Sequence, residues 1–126
     1  VRCLLDTATL LFAGNAPQKL SARAEALVRS PTNTLELSSI SLTEIAIKNA
    51  VGKLNFSAAE IRQVLQDLRI RILPYTQEHA FELFDLPVHH RDPFDRQIIA
   101  QALAEEIAVA TPDAAFSLYR RLRVIW

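Results

Sequence analysis

Cys3-Leu4-Leu5-Asp6 and Ile107-Ala108-Val109-Ala110-Thr111-Pro112-Asp113 lie near opposite ends of the chain and share one pattern, a short apolar run that ends at a carboxylate. Runs of this length without polar alternation predict strands buried on both faces, as in a parallel sheet covered by helices. Similar runs occur at Arg2 to Leu5, Leu35 to Ser38, Ile70 to Leu73, Ile107 to Ala110 and Val124 to Trp126. Helical patterns separate them. Ser57-Ala58-Ala59-Glu60 has the capping-box spacing and opens a stretch in which Ile61, Val64, Leu65 and Leu68 recur at helical intervals. Thr76 precedes a helix carrying Ala80, Leu83 and Phe84, and Gly14-Asn15-Ala16-Pro17, Ser30-Pro31-Thr32-Asn33 and Val51-Gly52 mark loops or helix ends. Strands and helices alternating through short connections predict an α/β sandwich.

Composition sets the bounds. With 126 residues, half of them hydrophobic, the chain is expected to form one domain with a proper core. Its net charge of zero gives no long-range attraction to a polyanion, so any phosphate must be held locally. The single cysteine, Cys3, sits in an apolar run and is expected to be a small buried hydrophobe in a reducing compartment, and a cysteine-based zinc site is excluded. No apolar stretch is long enough to span a membrane, and a cytoplasmic location is expected.

Two further acids stand where helices should begin or face inward. Asp92-Pro93 has the form of a helix N-cap followed by proline at the first helical position, which sets Asp95 one turn before Ile99 on the core-facing side. Glu44 shares a helical face with Ile40, Ile47 and Val51, and is therefore directed inward. Each of Asp6, Asp92 and Asp113 could be a simple cap, and Glu44 could pair with Lys48 one turn on, for about 0.3–0.5 kcal/mol. Capping does not explain the conjunction. In a parallel sheet, ligands gather at the carboxyl ends of strands, where Asp6 and Asp113 fall. Two carboxylates ~4 Å apart repel by roughly 4 kcal/mol at an effective dielectric of about 20, so a converging set must be partly protonated or neutralised by a cation. An all-oxygen set favours Mg²⁺ or Mn²⁺.

The segments Leu4-Leu5-Asp6-Thr7, Ser41-Leu42-Thr43-Glu44-Ile45-Ala46-Ile47-Lys48, His89-His90-Arg91-Asp92-Pro93-Phe94-Asp95-Arg96-Gln97-Ile98-Ile99-Ala100-Gln101-Ala102 and Ala110-Thr111-Pro112-Asp113 resemble, in order and spacing, the PIN-domain nucleases. The likeness is to VapC-like toxins of type II toxin–antitoxin pairs and covers essentially the whole chain. It implies a single PIN-like nuclease domain over residues 1–126, a three-layer α/β/α sandwich with a central parallel sheet whose first and fourth strands are adjacent. It implies a Mg²⁺-dependent ribonuclease, with Mn²⁺ a substitute. Asp6, Glu44, Asp95 and Asp113 match the catalytic and metal-binding acids. Asp92 matches an auxiliary acid, either at the metal site or only a helix cap, and Thr7 and Thr111 match hydroxyl positions beside the metal. The partners implied are RNA, a cognate antitoxin and a second copy of the chain. Two departures stand out: Ala8 replaces a histidine found in many relatives, and Glu36 puts a charge in a strand that is usually apolar.

His89 and His90 are expected to be solvated loop residues and are not counted as ligands. Phe94 and Trp126 are expected to pack. Arg91, Arg96, Arg120, Arg121 and Arg123 form a local basic supply that could meet phosphates. A phosphoacceptor signalling domain would need a lysine after a late strand, but the lysines are Lys19, Lys48 and Lys53. A haloacid-dehalogenase-like phosphatase would need an acid where Ala8 stands. A catalytically silent PIN-like partner-binding protein is the remaining alternative, and the intact four-acid set argues against it.

Overall fold

A computed structural model describes residues 1–126. The apolar runs form β1 (Arg2–Leu5), β2 (Thr34–Ser38), β3 (Arg71–Leu73), β4 (Ala108–Ala110) and β5 (Val124–Ile125). Every pairing is parallel and the order is β3-β2-β1-β4-β5, so β1 and β4 are neighbours at the centre. Cys3 lies opposite Ala108 and Leu5 opposite Ala110, which brings the carboxyl ends of the two strands level. The helices are α1 (Thr7–Asn15), α2 (Ala22–Arg29), α3 (Ser39–Ala50), α4 (Ala58–Asp67), α5 (Gln77–Glu82) and α6 (Pro93–Glu105).

Strand alternation divides the core in two. Cys3, Leu5, Leu35, Leu37, Ala108 and Ala110 pack with Leu10 of α1, Leu27 of α2, Ile45 of α3 and Ile61 of α4. Leu4 and Val109, on the opposite face, pack with Ile98, Ile99 and Ala102 of α6 and with Phe116. The result is the three-layer α/β/α sandwich. Full burial of each such aliphatic side chain contributes about 1.5–3 kcal/mol. Ser57 makes the expected capping box at α4. Asp92 caps α6 with Pro93 in its first turn, and Glu106, in the left-handed region at φ 55°, ends that helix and turns the chain into β4. Cys3 is fully buried, and burial pushes its thiol up to about 12, which leaves it unreactive. No helix is long and apolar enough to cross a membrane.

Two expectations are corrected, and the charge at Glu36 is accounted for. β3 is an edge strand with β2 as its one neighbour, so Arg71 and Ile72 are exposed rather than covered on both faces. The helix after Thr76 ends at Glu82 and tightens into a 3-10 turn over Leu83–Asp85, which leaves Phe84 83% exposed and stacked on Phe81. Glu36 is buried at 2% exposure without disturbing the register, because Arg2 on β1 forms an ion pair with it, its Nη2 donating to Glu36 Oε2 at 3.1 Å. Arg2 also meets Glu105 at 3.0 Å, and Glu105 in turn meets buried His79 at 2.9 Å. Trp126 packs, half buried, against Phe12 as expected, and Phe94 is likewise half buried.

Candidate metal centre

The carboxyl ends of β1 and β4 open into a cleft of about 340 Å³ lined by Asp6, Glu44, Asp92, Asp95 and Asp113. This is the point where the sheet runs outward in two directions from β1 and β4, the expected place for a ligand in a parallel sheet. Asp6 follows β1, Glu44 comes from the middle of α3, Asp92 and Asp95 stand at the start of α6, and Asp113 precedes a 3-10 turn over Ala114–Leu118. A larger hollow of about 720 Å³ lies near Leu86, Leu103 and Tyr119, but its chemistry is mixed and no set of acids converges there. Chemistry, not volume, singles out the acidic cleft.

The capping and converging roles of the aspartates prove compatible, because Asp6 and Asp113 use their two oxygens differently and Asp92 caps through one oxygen alone. Asp6 Oδ1 accepts from the Thr9 backbone N–H at 2.8 Å and the Thr9 hydroxyl at 2.6 Å, while Oδ2 accepts from the Thr111 hydroxyl at 2.6 Å. Asp92 Oδ1 caps α6 through the N–H groups of Phe94 and Asp95, at 2.9 and 3.0 Å. Asp113 Oδ1 accepts from Ala115 N–H at 2.9 Å, and its Oδ2 lies 2.7 Å from His90 Nε2. Glu44 is buried as expected, its Oε1 accepting from the Thr7 hydroxyl at 2.6 Å and its Oε2 from Lys48. Its helical neighbours Ile47 and Val51 are nevertheless 48% and 65% exposed, because only the Ser41, Glu44 and Ile45 side of α3 meets the body of the protein.

Burial raises the Asp6 carboxyl above the usual range, opposed by hydrogen bonds from Thr111 and Thr9 and reinforced by the charge of Asp113. Asp95 is pushed up to about 7, first by burial and then by the charge of Asp92; His90 opposes the shift, and Glu44 and Asp6 add to it. These are the marks of acids brought together without enough compensating charge. The donor set fits a hard divalent cation, which would be held by oxygens of Asp6, Glu44, Asp95 and Asp113.

His90 departs from its expected place in solvent. Its side chain is only 12% exposed, its Nε2 lies 3.2 Å from Asp95 and 2.7 Å from Asp113, and one donor atom from each of these three residues falls within 4.8 Å of the others. No local sequence pattern carries that position. His89, by contrast, is exposed and presents its ring edge-on to Tyr119. Thr9, whose backbone N–H completes the Asp6 cap, adds its hydroxyl to the same oxygen, and no sequence signature marks that second bond. Among the arginines, Arg96 is committed to the carbonyls of Leu86, Pro87 and His90, while Arg91, Arg120 and Arg123 are exposed.

An acid-lined cleft at the carboxyl ends of adjacent central strands, in a parallel α/β/α sandwich, defines the class of protein. The chain belongs to the PIN domain family, whose pattern matches residues 3–122. Its fold is similar to that of VapBC2 from Rickettsia felis, solved bound to a DNA fragment from their promoter, with 20% identity and a TM-score of 0.72 over 98% of this chain and 97% of that one. DNA-bound VapBC from Salmonella typhimurium gives 20% identity and a TM-score of 0.71, covering 98% of this chain and 96% of that one. VapBC-1 from nontypeable Haemophilus influenzae gives 22% and 0.68, again over 98% and 96%. At these identities the likeness is one of fold. No curated protein matches the sequence.

Proposed function

We propose that residues 1–126 form a single nuclease domain, a Mg²⁺-dependent endoribonuclease that is the VapC-like toxin of a toxin–antitoxin pair. The observation that carries this reading is the convergence of Asp6, Glu44, Asp95 and Asp113 on one cleft from four separate stretches of chain. When bound, a divalent cation supplies a water of lowered pKa and charge compensation for a phosphodiester. The four acids hold it. Thr111 and Thr9 orient Asp6, and Thr7 orients Glu44, so that the oxygens are fixed before substrate arrives. Lys48, paired with Glu44, places a positive charge at the cleft wall. Mn²⁺ is the expected substitute metal, and the expected location is cytoplasmic.

The partners proposed are RNA, an antitoxin and a second copy of the chain. On the other side of α3 from the acids, Leu42, Ile45, Phe56, Ile61, Leu65 and Ile72 line a mostly apolar groove of about 480 Å³. An antitoxin segment that folds on binding would lie there. The exposed Phe81 and Phe84 pair, whose burial a dimer would serve, supports the homodimer. The test is cleavage of a mixed RNA pool by partner-free protein. Activity with Mg²⁺ or Mn²⁺ is expected, with loss in EDTA and in Asp6→Asn. Undiminished cleavage in chelator would sink the metal mechanism, and no cleavage of any RNA would favour a silent binding protein.

A further inference from the structure

We propose that His90 is a positioning residue: it holds Asp113 beside Asp95 by donating its Nε2–H to Asp113 from a place next to the Asp95 carboxylate, and it is not itself a metal ligand. This inference rests on the nuclease reading above. The backbone N–H of Asp92 donates to His90 Nδ1 at 3.1 Å. A backbone N–H is always a donor, so Nδ1 presents its lone pair and the ring hydrogen resides on Nε2. That hydrogen is donated to Asp113 Oδ2 at 2.7 Å, while Asp95 Oδ2 lies 3.2 Å from the same nitrogen. A ring nitrogen that carries hydrogen has no lone pair for a metal. The three residues are spaced like a ligand triad, yet the Asp92 bond makes His90 the donor among them.

The ring is held by its surroundings. Tyr119, buried at 4% exposure, accepts at its hydroxyl from the N–H groups of His89 at 3.1 Å and His90 at 2.9 Å, and donates to the Pro87 carbonyl at 2.7 Å. Arg96 donates to the Leu86, Pro87 and His90 carbonyls at 3.3, 3.1 and 3.2 Å. The imidazole meets Phe116 edge to face at 5.5 Å. A loop fastened by two side chains, one from its own following helix and one from 29 residues on, delivers the ring to one place. Asp95 lies on α6 and Asp113 beyond β4, so no covalent constraint sets their separation, and their charges oppose approach. The positive end of the Nε2–H dipole, bonded to Asp113 and next to Asp95, offsets that repulsion. Asp113 needs it most, since its side chain is 39% exposed and its Oδ2, unlike the capping Oδ1, has His90 as its hydrogen-bond partner.

The test compares Mn²⁺ binding, by titration calorimetry and electron paramagnetic resonance, in the wild type, Asp6→Asn, His90→Phe and His90→Gln. Glutamine can place a carboxamide N–H near the position of Nε2, whereas phenylalanine keeps the ring and removes the donor. Losing an outer partner of a ligand typically weakens metal binding about 10- to 100-fold, so His90→Phe is expected to fall in that range and His90→Gln to stay within about threefold of wild type. Wild-type affinity in His90→Phe, or equal weakening in both variants, overturns the role of His90 and leaves the nuclease reading standing. No Mn²⁺ binding by the wild type overturns the nuclease reading first, and this inference with it. A measurement on the wild type avoids any dependence on variant folding. Nitrogen-15 correlation spectra of the His90 ring are expected to show hydrogen on Nε2 both without and with Mg²⁺, and its loss from Nε2 on adding Mg²⁺ would mark the ring as a ligand.

Discussion

Asp95 carries the clearest consequence at the residue scale, because burial and the neighbouring Asp92 charge push its carboxyl up to about 7. The unfolded chain releases that proton near pH ~4, the ordinary aspartate value, while the folded chain keeps it until about 7. Between those values the folded state binds more protons, so its stability falls as pH rises. Melting temperatures of metal-free protein should therefore decline through this window, and Asp95→Asn should decline less steeply. Equal slopes would show that Asp95 gains no proton on folding. The sequence placed Asp95 on the inward side of its helix, but not His90. The position of that histidine depends on Tyr119 and Phe116, which lie beyond β4 and meet it only through the tertiary fold, so no spacing within the loop encodes it.

Elements were legible where their local chemistry agreed with their surroundings. β1 and β4 are apolar runs and are buried, β2 is buried around its charged Glu36, and Ser57 and Asp92 are caps in fact as in pattern. β3 was legible as a strand but not as an edge, since strand order is set by crossovers and not by composition. The α6 cap yields a graded prediction: Asp92→Asn should leave stability within a few tenths of a kcal/mol, whereas Asp92→Ala should cost about 1 kcal/mol. If the two lose RNA cleavage equally at matched stability, Asp92 acts in the cleft and not only as a cap. The β1–β2 ion pair predicts an asymmetry. Arg2→Ala strands nearly buried Glu36 and should destabilise by about 3–5 kcal/mol. Glu36→Leu leaves Arg2 part exposed and still bonded to Glu105, so chemical denaturation should show a distinctly smaller loss. A reversed order would mean that the arginine, not the carboxylate, is the group stranded without its partner.

On the scale of the whole molecule, the apolar groove and the acidic cleft lie on two sides of the same helix, α3, which contributes Leu42 and Ile45 to one and Glu44 and Lys48 to the other. The antitoxin proposed above would silence the site by placing an arginine among the acids, where it would compete with Mg²⁺ for the same oxygens. Titrating the antitoxin segment at low and high Mg²⁺, with ionic strength constant, should show weaker binding at high metal. An affinity indifferent to Mg²⁺ would place inhibition elsewhere on the surface. The capping by Asp6, Asp92 and Asp113 has a further consequence for how such a gene decays. A descendant released from selection for cleavage still needs its helices begun, so asparagine, serine or threonine is expected at these three positions rather than alanine or leucine. Glu44 caps nothing and has no such protection. Loss of the proposed activity in a lineage should therefore leave its first unambiguous scar at position 44, and a polar ghost of the site at the other three.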